Sequence, residues 1–154
     1  MNENTCTEQE RQEILDSLPQ KPPFRFLDSI LELSENHVVA QYRFKKDEFF
    51  YKGHFPGDPV TPGVILVEAM AQAGLVALGI YLLAKERPGV TMRTMFTDCA
   101  VDFSQAVYPD NLVTIYAEKI FWRRNKLKSK VELKLEGGII AAHGLVSGLG
   151  VITE

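Results

Sequence analysis

Residues 64–84, VILVEAMAQAGLVALGIYLLA, are almost wholly apolar, and any fold of this chain must cover them. The run is long enough to cross a bilayer. Against a span stand Glu68 and Gln72 inside it, weakly basic flanks, and a following chain that reads as amphipathic strands able to wrap a greasy helix. The sequence therefore predicts a helix buried on nearly every side, with no membrane partner. Ala69, Ala73 and Ala77 recur every fourth residue, a smooth stripe where strands can come close.

The rest of the chain supplies the cover. Thr7 and Glu10 stand at capping-box spacing before Ile14, Leu15 and Leu18, and Pro19 stops the short helix so begun. Segments 24–33 and 37–45 read as paired strands around Ser34, Glu35 and Asn36. Beyond the long helix, 90–103, 111–122, 127–136 and 138–152 read as four strands in antiparallel succession. Their turns carry Pro109-Asp110, Arg124-Asn125 and Gly137-Gly138. The third of these alternates most cleanly, with Leu127, Ser129, Val131, Leu133 and Leu135 on one face and charged residues on the other. Such an order, one long helix and a curled antiparallel sheet, is an α+β fold, expected as one domain over 1–154.

Composition excludes several functions. A net charge of −3 argues against a surface built for nucleic acid. Cys6 and Cys99 offer neither a disulfide framework nor a metal-binding spacing, so a reducing, cytoplasmic setting is expected. The opening MNENTCTEQERQEIL is polar and acidic where an export signal would be basic and then apolar. The glycines of GLVSGLG (144–150) do not lead a strand into a helix and make a poor dinucleotide motif.

Chemistry concentrates where the Gly- and Pro-rich stretch GHFPGDPVTPG (53–63) enters the apolar run. Thr61 reads as the N-cap and Pro62 as the first helical residue. The N–H groups of Gly63, Val64 and Ile65 are then unpaired donors at the positive end of the helix dipole, suited to a developing oxyanion. Glu68 follows Val64 by four residues, on the same face and about 6 Å along the axis. Gln72 repeats the step and is placed to orient the carboxyl. Apolar surroundings push such a carboxyl toward its proton-carrying form, as a general acid requires. His54, in a loop stiffened by Pro56 and Pro59, suits proton abstraction near neutrality. One base, one acid and backbone donors match removal of a proton beside a carbonyl with loss of a leaving group one carbon further on. Each residue also has a plainer reading, Glu68 as a buried carboxyl with a structural partner and His54 as a loop cap.

The stretch GHFPGDPVTPGVILVEAMAQ resembles the signature of the FabZ-type 3-hydroxyacyl-acyl-carrier-protein dehydratases, and LPQKPPFRFLD (18–28) resembles a second segment of the same family. The resemblance covers roughly residues 14–150. It implies the hotdog fold, with His54 as catalytic base, Glu68 as catalytic acid, and the Gly63 and Val64 N–H groups receiving the thioester oxygen. Glu68, where the related FabA type usually has Asp, favours the FabZ type. The implied reaction is loss of water from a (3R)-3-hydroxyacyl thioester to leave a trans-2-enoyl thioester, with no metal or dissociable cofactor. An acyl carrier protein is the implied partner, and a homodimer, often a trimer of dimers, the implied assembly, with His54 of one chain meeting Glu68 of the other.

Several positions depart from the family pattern: Thr61 where a larger apolar residue is usual, Gln20-Lys21 in place of His-Arg, and Asp102 and Gln105 where basic residues are usual. They bear on substrate choice, so specialised acyl or polyene assembly stands beside housekeeping fatty-acid synthesis. The basic stretch WRRNKLKSK (122–130), with Arg123, Arg124, Lys126 and Lys128, reads either as a solvated hairpin tip or as a docking patch for an acidic carrier protein. His37 and His143 read as structural or surface residues, and Met70, Phe49, Phe50 and Tyr51 as core with an option on lining an acyl tunnel. The competing functions are a hotdog thioesterase and a non-catalytic acyl-binding partner subunit.

Overall fold

The computed structural model describes residues 6–153, so the start of the stretch read for an export signal, residues 1–5, lies outside the described residues. Helix α1 (Glu8–Ser17) opens on the expected capping box: Thr7 Oγ1 accepts from the Glu10 N–H at 3.1 Å, and Glu10 Oε1 accepts from the Thr7 N–H at 2.8 Å. Strands β1 (Ser29–Leu33) and β2 (His37–Arg43) form an antiparallel pair. The first strand is shorter than expected because residues 24–26 spend their backbone elsewhere. Phe24 N–H turns back to Lys21 O, and Phe26 N–H goes to the Gln72 side chain.

The long helix runs from Gly63 to Glu86 and is mostly buried, the core of a sheet. It is not uniformly α-helical. An α segment, α2 (Gly63–Ala71), passes through a π-helical stretch (Gln72–Ala77) into α3 (Leu78–Glu86). At the exit the Leu78 N–H bonds Ala73 O. The carbonyl that N–H would meet in an α-helix, Gly74 O, accepts the buried Ser129 hydroxyl at 2.7 Å. Gly74 lets the sheet come close: a Cβ there would lie 3.1 Å from both Ala117 Cβ and Val131 Cγ1. Ala69, Ala73 and Ala77 are buried as the stripe predicts.

Strands β3 (Thr91–Phe103), β4 (Leu112–Arg123), β5 (Lys126–Leu135) and β6 (Ile140–Thr153) complete a six-stranded antiparallel sheet in the order β1-β2-β4-β5-β6-β3. This is the hotdog arrangement. One expectation fails: β3 pairs with β6 at the far edge and not with β4, its successor. The connection 104–111 makes the crossing, donating Ser104 N–H to Ala141 O at one edge and accepting Phe44 N–H at Asn111 O near the other. The three turns fall as read. Arg124 and Asn125 both take positive φ in a two-residue hairpin, and Asp110, Gly137 and Gly138 share that region. β5 buries Leu127, Ser129, Val131 and Leu133 in strict alternation. Of the residues assigned to the core, Met70 and Tyr51 are buried and Phe50 packs against it, whereas Phe49 is 51% exposed.

Candidate active site

The N-terminus of α2 begins one residue later than the sequence suggests. Pro62 is the N-cap residue, without a side-chain cap, and its carbonyl accepts the Ile65 N–H at 2.9 Å and the Leu66 N–H at 3.3 Å. Thr61 therefore does not cap the helix. Its hydroxyl pairs with the Tyr51 hydroxyl at 2.7 Å in a buried contact, and its N–H donates to Val107 O. The bond to Pro62 removes Ile65 from the expected donor set. Gly63 and Val64 N–H groups have no hydrogen-bond partner among the described residues. Phe103, from the end of β3, lies against Gly63, where a Cβ would meet its ring at 3.2 Å. A groove lined by Thr61, Gly63, Leu66, Phe103 and Gln105 leads to these donors.

His54 is held by a loop closed on itself. Its Nδ1 lies 2.8 Å from Val60 O, and the Val60 N–H donates back to His54 O at 3.0 Å. A carbonyl can only accept, so Nδ1 carries the proton and Nε2 is the basic nitrogen. The Phe55 ring stacks on the imidazole with centroids 4.0 Å apart. The segment before the loop is anchored by buried Glu48, which accepts from the Tyr42 hydroxyl and the Lys45 N–H. Burial and the adjacent Glu48 carboxylate keep the Tyr42 hydroxyl protonated. The Tyr51–Thr61 pair then ties the chain entering the His54 loop to the chain leaving it.

Glu68 is half-buried on the face of α2 that also carries Val64, itself 75% exposed. Burial pushes its carboxyl above the ordinary range, and the hydrogen bond from Gln72 only partly offsets this. Gln72 is fully buried and orients the carboxyl as expected, its Nε2 donating to Glu68 Oε2 at 2.9 Å. The same Nε2 donates to Phe24 O at 2.8 Å, and Gln72 Oε1 accepts the Phe26 N–H at 2.7 Å. One side chain thus couples the PPF segment, the helix and the acid. Glu68 Oε1 has no partner among the described residues and is free to carry the proton.

The recess on which Glu68 opens does not include His54. Glu68 opens on a small recess with Gln20, Ala71, Leu75, Val76, Thr94 and Phe96. The basic tip lies farther away. Arg123 and Arg124 are exposed, and Lys126 and Lys128 half-exposed, at the end of the sheet where Trp122 bonds Glu86 at the C-terminus of α3. A helix of 24 residues puts that end roughly 35 Å from Gly63. His37 bonds Ser34 and Glu32, and His143 is exposed on β6, surface settings as expected for both. Phe103 was not legible as a neighbour of the site, because long-range packing brings it there.

Residues 18–143 match the model of the FabA-like domain. The chain is 34% identical over 130 residues to the 3-hydroxyacyl-[acyl-carrier-protein] dehydratase FabZ of Ruminiclostridium cellulolyticum, covering 84% of this chain and 89% of that one. It is 37% identical over 128 residues to the enzyme of the same name from Caldicellulosiruptor saccharolyticus, covering 82% and 89%. Among solved structures it resembles the dehydratase heterocomplex ApeI:P from Xenorhabdus doucetiae, with a TM-score of 0.75 at 20% identity, covering 89% of this chain and 90% of that one. A hypothetical thioesterase from Streptococcus pneumoniae shares the fold at a TM-score of 0.56 and 16% identity, covering 80% and 84%. Matched over most of its length by the family model and by relatives above 30% identity, the chain belongs to the FabA-like family.

Proposed function

We propose that this protein removes water from (3R)-3-hydroxyacyl thioesters of acyl carrier protein, leaving trans-2-enoyl thioesters. The observation that carries the reading is Glu68: a carboxyl pushed toward its protonated form by burial and aimed by Gln72, one turn beyond two helix-terminal N–H groups without partners among the described residues. His54 Nε2 takes the C2 proton. The Gly63 and Val64 N–H groups stabilise the enolate oxygen, and Glu68 protonates the departing hydroxyl. Curated relatives named for this activity support the assignment.

The working unit is a homodimer with shared sites. β3 is an edge strand whose outer side has no neighbour among the described residues, and it carries exposed Met95, Phe96 and Phe103. A long apolar edge invites pairing with a second copy. Antiparallel pairing of β3 with itself about a two-fold axis sets the Thr91 end of one subunit beside the Phe103 end of the other. The basic tip sits at the Thr91 end and the helix N-terminus at the Phe103 end. Docking of an acidic carrier protein on Arg123, Arg124, Lys126 and Lys128 of one subunit would then deliver the thioester to the other. Three of the family departures lie where substrate would lie, Thr61 and Gln105 beside Gly63 and Gln20 beside Glu68. Substrate choice in a cytoplasmic, specialised acyl or polyene pathway is therefore where this chain differs from a housekeeping enzyme.

Ultraviolet detection of enoyl thioester from a panel of (3R)-3-hydroxyacyl carrier-protein substrates tests the reading, with His54→Ala and Glu68→Gln as controls. Wild-type product and inactive variants are expected; product from either variant at wild-type rate refutes the assigned roles. Mixing the two inactive variants should restore about a quarter of wild-type activity, because half the dimers are mixed and each holds one intact site. No restoration, with subunit exchange shown by mass, sinks the shared site.

A further inference from the structure

The Glu68 recess contains a polar group that the mechanism above does not use. Gln20 lines it together with Glu68, Thr94 and the apolar walls Ala71, Leu75, Val76 and Phe96. Among the described residues Gln20 Oε1 is the one buried side-chain oxygen or nitrogen without a hydrogen-bond partner. An unpaired buried carbonyl oxygen is costly, and folded proteins retain few of them. Its loop gains nothing from the oxygen: the turn is held by Phe24 N–H on Lys21 O and by Lys21 Nζ on Asp16 O. Gln72, by contrast, has both ends of its amide paired.

Resting on the dehydratase reading, we propose that Gln20 is a further substrate-binding residue, whose Oε1 accepts the hydrogen of the substrate's 3-hydroxyl while Glu68 delivers its proton to the oxygen of the same group. The hydroxyl has one hydrogen to give and lone pairs to receive, so an acid and an acceptor on two sides of it fix the C3–O bond for cleavage. As that bond breaks, its electron pair goes to the oxygen, the Glu68 proton completes the water molecule, and the hydrogen on Gln20 stays with that water. Gln20 neither gains nor loses a proton. The enoyl product has no hydroxyl, so the bond is made to substrate and lost on release.

The test compares Gln20→Met, near in size but without the acceptor, and Gln20→Glu, which restores an oxygen, with the wild type. Measurements are kcat/KM for dehydration of the panel substrate turned over fastest, Kd for its own enoyl product, and Tm. One lost hydrogen bond to a substrate hydroxyl predicts a fall in kcat/KM of about ten- to a hundredfold for Gln20→Met. Product Kd should stay within about twofold and Tm should not fall, since the oxygen has no partner among the described residues. Gln20→Glu should recover part of the loss. Equal losses for substrate and product, or a lowered Tm that accounts for the lost activity, would make Gln20 a wall of the recess and overturn the proposal, as would unchanged kcat/KM. Full activity in Glu68→Gln would instead refute the acid, a separate failure read in the same assay.

Discussion

Gln72→Leu removes a side chain that joins three parts of the molecule, and the cost can be worked out group by group. The Phe26 N–H, in a residue with no exposed surface, loses its only acceptor; stranding a buried donor costs about 1–3 kcal/mol. The part-buried Phe24 carbonyl loses its donor at about 1 kcal/mol, since water can partly replace it. Leucine is close in size, so no large cavity adds to this. The sum, about 2–4 kcal/mol, corresponds to a fall in Tm of about 5–15 °C for a domain of this size. Dehydration should fall with it, and remain low at temperatures where the variant is folded, because Glu68 loses the bond that aims it. Thermal unfolding by circular dichroism, paired with the enoyl thioester assay on folded protein, reads both. A Tm lowered by less than about 2 °C would refute the reasoning, because the two backbone groups would then have other partners.

Further expectations follow from the same contacts. With its pKa raised in the folded state, Glu68 binds more protons there than in the unfolded chain. Stability should therefore fall as pH rises from the ordinary carboxylate range through the raised value, and Glu68→Gln should be the more stable protein at neutral pH and equal at acid pH; a Tm series from about pH 4 to 8 that is parallel for both would contradict this. Dehydration should decline over the same rise as the acid loses its proton. Tyr51→Phe strands the buried Thr61 hydroxyl and should cost about 1–3 kcal/mol, whereas adding Thr61→Val should return most of it; additive losses in denaturant unfolding would exclude a direct pair. Gly74→Ala should cost about 1–3 kcal/mol through crowding against Ala117 and Val131, the reverse of the usual helix preference for alanine, and an increased Tm would show that the sheet yields. Charge reversal at Arg123 and Arg124 should raise KM for a carrier-bound substrate and spare a small thioester analogue; equal losses would remove the docking role.

Local patterns carried much of the fold. Thr7 and Glu10 announce their capping box within four residues, β5 declares its buried face by alternation, and Arg124-Asn125 marks its turn with a left-handed pair. The i, i+4 step from Glu68 to Gln72 is also local, so the aimed carboxyl was legible before any coordinates. The π-helical stretch was not, since the partner of its freed Gly74 carbonyl, Ser129, lies fifty-five residues away. Thr61 illustrates the same limit. Its position before Pro62 suggests a cap, but the nearest partner for its hydroxyl is Tyr51 across a loop, and that contact prevails.

By itself the sequence determined an apolar helix needing a sheet to cover it, the strands able to do so, and a carboxyl, an imidazole and helix-terminal N–H groups close together along the chain. Periodicity and near-neighbour hydrogen bonding depend only on backbone geometry over a few residues. Tertiary structure alone decided that β3 leaves its successor to pair with β6, that Gln72 reaches the PPF segment, and that Gln20 faces the acid. Those outcomes depend on which distant surfaces bury most area and leave fewest polar groups unpaired, a comparison among whole arrangements of the chain that no short stretch encodes.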